Sequence, residues 1–190
     1  MNELKEIFEK YKGIPNTMID GIPWNWGGDK GSNHTYIEIY HDLFKDRRFE
    51  KLNLLEIGVQ YGSSMKMWKE YFENSTIYGL DLKPHCVKYA EDRIVIKIMD
   101  ATKKHEIDEH LSNVNFDIII DDGSHEFDDQ VNSFKLLWEK MNPGGIYVIE
   151  DIFDIDKTRN DFLSLAENVK IMDIRHIKNV YNDVLVVIQK

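Results

Sequence analysis

Apolar residues first recur at helical spacing in ELKEIFEKYKG, where Leu4, Ile7, Phe8 and Tyr11 share one face and Gly13 closes the segment. The next stretch, GIPNTMIDGIPWNWGGDKGSN, loses that periodicity. Its prolines, glycines and neighbouring tryptophans, Trp24 and Trp26, predict a long aromatic loop of the kind that serves as a lid. Ser32 or Asn33 is placed to cap the following helix, HTYIEIYHDLF, whose apolar face is Tyr36, Ile37, Tyr40, Leu43 and Phe44.

From residue 53 the pattern changes to short apolar runs alternating with amphipathic ones. LNLLEIG, TIYGLDL, IVIKIMD, FDIIIDD and IYVIEDI read as strands. Between them lie the helical segments SSMKMWKEYF, PHCVKYAEDR, KKHEIDEHLSN and EFDDQVNSFKLLWEKM, the last followed by an NPGG turn. Near-continuous apolar strands separated by helices predict a doubly wound, mostly parallel sheet covered on both faces. After TRNDFLSLAEN, the strands VKIMDIRHI and DVLVVIQ are joined by KNVYN, too short for a helical crossover, so they pair as a C-terminal antiparallel hairpin. With the hairpin the α/β sheet has seven strands. The expected organisation is one domain over 1–190, with N-terminal helices and lid loop over 1–45 and a cofactor-binding core over 52–190.

Composition narrows the function classes. The 190 residues are 42% apolar and 31% charged, an ordinary globular mixture. A net charge of −10, with short basic pieces such as KDRR and TKKH dispersed among acids, disfavours nucleic acid and anionic membranes as partners. A single cysteine, Cys86, excludes an internal disulfide. The charged N-terminus does not read as a signal peptide, and no apolar run approaches a bilayer span, so a cytoplasmic location is the default. Self-association is left open.

The strand ends carry the chemistry. LLEIGVQYGSS is a strand, a glycine turn and a helix start, which brings backbone N–H groups to a ligand at the sheet edge. Gln60 stands where a dinucleotide fingerprint has its second glycine, and there is no Walker lysine. What remains is Glu56-x-Gly58-x-x-x-Gly62, with Ser63 opening the helix. Glu56 before the turn repels phosphate and attracts an amine; Asp81, ending the second strand, can hold ribose hydroxyls; Asp100 and Ala101, in MDAT, lie where a base would sit. An amine, a ribose and a base without phosphates describe S-adenosylmethionine. The same turn also occurs in folds that bind nothing there.

Strand four ends IIIDDGSH and strand five YVIEDI, and these strands are expected side by side. Asp121, Asp122, Glu150 and Asp151 then crowd one region, which a hard cation such as Mg²⁺ would relieve. Asp122, Glu150 and Asp151 are the candidate metal residues, with Asp121 facing the cofactor. His125 is the candidate general base for a hydroxyl acidified by the cation, and the resulting oxygen attacks a sulfonium methyl. The plainer reading makes His125 an exposed helix-start residue, Ser124 a helix cap, and Glu150 and Asp151 solvated strand ends. The other six histidines show no ligand spacing; His85 and His105 read as surface positions.

The blocks GGDKGSNHTY, LLEIGVQYGSS, IIIDDGSHEFDDQ and NPGGIYVIEDI, in that order over roughly residues 27–152, resemble the metal-dependent sugar O-methyltransferases of macrolide biosynthesis. These are the macrocin and mycinamicin O-methyltransferases, to which cephalosporin-hydroxylase-like proteins are similar. The resemblance implies a Rossmann-like class I methyltransferase fold, S-adenosylmethionine, Mg²⁺ and a sugar acceptor with a vicinal diol. It matches His125 to the base, Asp122, Glu150 and Asp151 to the metal acids, and Lys30 to a lid lysine. Gly28 departs from the family's usual threonine, and no large additional N-terminal domain is expected. The acceptor is therefore open among glycosides, nucleotide sugars and polysaccharides. Three other readings stay in view: a metal-independent methyltransferase, a nicotinamide oxidoreductase, which Gln60 opposes, and a non-catalytic cofactor-binding domain.

Overall fold

The branched, apolar runs form the strands of one twisted sheet: β1 (Asn53–Ile57), β2 (Thr76–Asp81), β3 (Ile94–Ile98), β4 (Phe116–Asp121), β5 (Met141–Ile149), β6 (Val169–Asp173) and β7 (Val184–Gln189). This architecture comes from a computed structural model that describes residues 2–12, 18–19, 22–23 and 28–190. Most of the expected lid loop, Trp24 and Trp26 included, lies outside the described residues. The strand order is β3-β2-β1-β4-β5-β7-β6, and β7 runs antiparallel to both β5 and β6 while the others pair in parallel.

Alternate strand residues point to opposite faces, which explains why the strands are apolar throughout. Leu54, Ile118 and Ile120 pack towards α1 (Glu3–Tyr11), α2 (Tyr36–Phe44) and α3 (Ser63–Tyr71), against Leu4, Tyr40, Phe44 and Trp68. Leu55, Ile119 and Tyr147 pack with Ile107 of α4 (Lys104–His110), Phe134 and Leu137 of α5 (Phe127–Leu137) and Phe162 of α6 (Ile155–Leu163). Fully burying each large apolar side chain stabilises by ~1.5–3 kcal/mol, so the two clusters hold the layers together.

Local departures from the pattern have local causes. PHCVKYAEDR forms only a six-residue 3-10 segment, Pro84–Tyr89, closed at Ala90 by a bond to Val87. NPGG is no separate turn. It lies within β5, where the register jumps between Phe116 and Ile118, and Gly144 donates to the Lys190 carbonyl. VKIMDIRHI ends as a strand at Asp173, and Arg175–Lys178 makes a helical turn within the hairpin connection. Neither Ser32 nor Asn33 caps α2; Thr35 holds the cap position without a side-chain bond, and the Lys30 carbonyl accepts from Tyr36 N–H. At α5 the cap position belongs to Glu126, and Ser124 instead donates to Asp129 and accepts from Glu126 N–H.

The C-terminal tips of β1, β4 and β5 are in register. Ile57 pairs with Asp121 and Asp121 with Ile149, so Gly58, Asp122 and Glu150 emerge together. The chain order reverses between β1 and β4, the place where doubly wound sheets bind ligands.

Candidate active site

A cleft of about 300 Å³ opens at that switch point, lined among others by Gly58, Asp81, Asp100, Ala101, Asp121, Asp122 and His125. The Gly58 turn is tight: Gly58 takes φ +95°, and a Cβ there would overlap the Asp122 carbonyl. Asp81 braces the turn from β2, with Oδ2 accepting from Val59 and Gln60 N–H at 3.0 and 2.9 Å and Oδ1 from Lys83 N–H at 2.8 Å. Burial alone would raise its carboxyl, but these N–H groups hold it below the ordinary value. Asp100 Oδ1 accepts from both the N–H and the hydroxyl of Thr102. Asp121 is 3% exposed, and burial pushes it up to about 7.

Not every expected cofactor contact faces this cleft. The Glu56 carboxylate is fully buried, accepting from Trp68 Nε1–H at 2.9 Å and lying 3.3 Å from Lys30 Nζ. Burial pushes it up to about 7 even with Lys30 beside it. Gly62 packs against the Tyr89 ring. Ser63 is buried and lines a smaller recess with Gly58 and Lys30, and among the described residues its hydroxyl has no partner.

Lys30 is the hub beneath the tips. Its side chain is 3% exposed, and the ammonium lies 2.6 Å from Asp122 Oδ2 and 2.7 Å from Glu150 Oε1. Burial opposes its charge, but the surrounding carboxylates outweigh that and raise it well above the usual lysine range. Tyr40 O–H also donates to Glu150 Oε1, at 2.5 Å. Glu150 is therefore turned to Lys30 and Tyr40, behind the other acids, and burial followed by the charges of Asp122 and Asp151 raises its carboxyl.

Asp122, His125 and Asp151 come together, each offering a ligand atom within 4.8 Å of the others. His125 Nε2 is 3.0 Å from Asp122 Oδ1 and 3.8 Å from Asp151 Oδ2. His125 is not on the helix but two residues ahead of α5, at φ +61°, and Asp151 stands at φ +56°. Left-handed backbone in non-glycine residues costs on the order of 1–3 kcal/mol and concentrates at functional sites. Burial would lower the imidazole pKa, yet the hydrogen bond and charge of Asp122 raise it. The donor set suits a divalent cation: carboxylate oxygens outnumber the nearby positive charges, and the oxygen facing His125 on each aspartate is not the one held by Lys30 or Tyr36.

Sequence spacing missed four contributors. Tyr36 and Tyr40 counted only as apolar positions, yet their hydroxyls reach Asp151 and Glu150. His34, one of the histidines without ligand spacing, sits 3.5 Å from Asp151 and 3.3 Å from Asp183. The HTY order before an apolar helical face was the visible signal for His34 and Tyr36. Nothing in the sequence pointed to Asp183.

A parallel sheet with one reversed strand and an acid-rich cleft at its switch point define a Rossmann-like α/β protein of the methyltransferase type. The chain belongs to the methyltransferase domain family, whose profile matches residues 55–152. It is 33% identical over 142 residues to an 8-demethyl-8-alpha-L-rhamnosyl tetracenomycin-C 2'-O-methyltransferase of Streptomyces olivaceus, covering 70% of this chain and 37% of the relative. Over 162 residues it is 35% identical to a demethylmacrocin O-methyltransferase of Streptomyces fradiae, covering 75% of this chain and 40% of the relative. The solved MycE methyltransferase of the mycinamycin biosynthetic pathway, in complex with Mg, SAH and mycinamycin VI, superposes with a TM-score of 0.74 at 26% identity, covering 98% of this chain and 54% of that one. The chain thus spans less than half the length of these two curated relatives. Among the described residues no helix is long and apolar enough to cross a membrane.

Proposed function

We propose that the protein is an S-adenosylmethionine-dependent O-methyltransferase that uses a divalent cation, Mg²⁺ in the first instance, and methylates a hydroxyl of a small sugar-bearing acceptor. The observation that carries this reading is the Asp122–His125–Asp151 cluster at the tips of β4 and β5, beside the cleft at the β1–β4 switch. Kinship with sugar O-methyltransferases supports the acceptor class.

Each residue has a part. Asp81 keeps unused lone pairs on oxygens already fixed by three backbone N–H groups, which suits a ribose diol; Asp100 and Ala101 border the space for adenine, and Asp121 the side nearest the methyl donor. The Gly58 turn admits the donor against bare backbone. Asp122 and Asp151 would hold the cation, with Glu150 and Lys30 setting the charge behind them. When bound, the cation supplies Lewis acidity to an acceptor hydroxyl, and the donor supplies an electrophilic methyl group. An anionic carboxylate only accepts, so His125 Nε2–H donates to Asp122 Oδ1 and the ring takes the hydroxyl proton at its other nitrogen, Nδ1. The Asp122 contact fixes the ring for that transfer.

A labelled-methyl transfer screen over glycosides and nucleotide sugars, run with Mg²⁺ and with EDTA, tests the reading. Transfer that depends on added Mg²⁺ is expected. The His125–Asp122 bond alone favours a second reading, in which the pair acts without metal; transfer undiminished by full chelation would select it.

A further inference from the structure

The C-terminal hairpin and the start of α2 meet at one carboxylate, Asp151. Tyr36 O–H donates to Asp151 Oδ1 at 2.6 Å, with the Asn182 carbonyl a secondary acceptor at 3.2 Å. His34 Nε2 lies 3.5 Å from the same Oδ1, and its Nδ1 lies 3.3 Å from Asp183 Oδ1. The His34 ring is stacked on Tyr36, centroids 4.7 Å apart and planes 12° from parallel, so it cannot swing away from either acid without unstacking. Asp183 itself is fully buried at the foot of β7, and among the described residues its other oxygen has no hydrogen-bond partner. Burying a carboxylate is costly unless it is paired, and Asp183 Oδ1 faces His34 Nδ1 and accepts from Thr35 N–H at 3.4 Å.

The consequence is a division of labour between the two oxygens of Asp151. Oδ1 accepts from Tyr36, with His34 Nε2 3.5 Å away, whereas Oδ2 is the oxygen nearest His125. Asp151 also sits in left-handed backbone, a conformation that persists only when its surroundings over-determine it. We propose that Tyr36, His34 and Asp183 are positioning residues that aim Asp151 Oδ2 into the cation cluster, so that the C-terminal hairpin sets cation affinity without touching the cation. The inference rests on the proposed cation site. Partners behind a ligating group orient it, and their loss typically weakens metal affinity ~10–100-fold.

Mn²⁺ binding to the full chain, followed by electron paramagnetic resonance, provides the test, with S-adenosylhomocysteine binding by calorimetry and thermal unfolding as companion measurements. Tyr36→Phe, which removes one oxygen, and Asp183→Asn, which keeps the shape, should each raise the Mn²⁺ Kd by ~10–100-fold. S-adenosylhomocysteine affinity should stay within about two-fold, because these residues lie away from the cleft lining. The double variant should be less than additive, since both changes act through one oxygen. Unchanged Mn²⁺ affinity in folded Tyr36→Phe overturns the proposal and leaves the cluster a structural brace, as does a parallel loss of both affinities. If Asp183→Asn does not fold, Tyr36→Phe decides alone. Absence of Mn²⁺ binding by the unaltered protein instead removes the cation reading, and this proposal with it.

Discussion

Asp122 shows how one side chain serves two environments. Its Oδ2 is 2.6 Å from the buried Lys30 ammonium and its Oδ1 3.0 Å from His125 Nε2. Lys30 and His125 hold its carboxyl below the ordinary value although burial works the other way, so Asp122 remains an anion that can orient an imidazole. His125 therefore carries a sharp expectation at this scale. Replacing it with alanine should lower the turnover rate by ~10²–10⁴-fold, the usual worth of a positioned general base. S-adenosylhomocysteine affinity, read by calorimetry, should move little. A variant that loses affinity and rate together would make His125 a binding residue.

Elements meet at this site through backbone as much as through side chains. The β1–α3 turn passes so close to the end of β4 that Gly58 has no room for a methyl group, and its φ of +95° disfavours any L side chain. Gly58→Ala should accordingly cost at least ~2 kcal/mol in urea denaturation, from left-handed strain and from pushing the Asp122 carbonyl aside. It should also blunt S-adenosylhomocysteine binding, because the displaced carbonyl belongs to a cleft residue. Full stability in this variant would mean that the turn yields and the strand tips are not locked. The β6–β7 hairpin contributes differently: it lies at the sheet edge away from the cofactor side, yet brings Asn182 and Asp183 back to the β5 tip.

For the molecule as a whole, the buried charge around Lys30 makes stability depend on pH. Burial raises the folded-state Glu56 carboxyl to about 7, against about 4.3 for an unfolded glutamate. Between those values the folded chain binds the proton more tightly than the unfolded chain, so this contribution is complete below about pH 4.3 and is lost as pH rises through about 7. Urea denaturation of the metal-free protein should give a lower midpoint at pH 8 than at pH 5.5, and Glu56→Gln should flatten the slope. A slope unchanged in Glu56→Gln would assign the dependence to other groups. By itself the sequence determined what local periodicity can determine. Apolar runs at strand and helix spacing dictated the layers and the closing hairpin, and the runs ending in EIG, LDL, MDA and DDGSH set acids at strand tips, because strand ends follow from the chain immediately around them. Only the tertiary structure decided how those acids divide: Glu56 and Glu150 go to Lys30, Asp122 is shared between Lys30 and His125, and Asp151 faces His125 with one oxygen while Tyr36 bonds the other. Tyr36 lies 115 residues from Asp151 in the chain, and His34 two residues before Tyr36. The packing of α2 against the sheet and the place of β7 between β5 and β6 bring them together, and that closeness leaves no trace in local spacing.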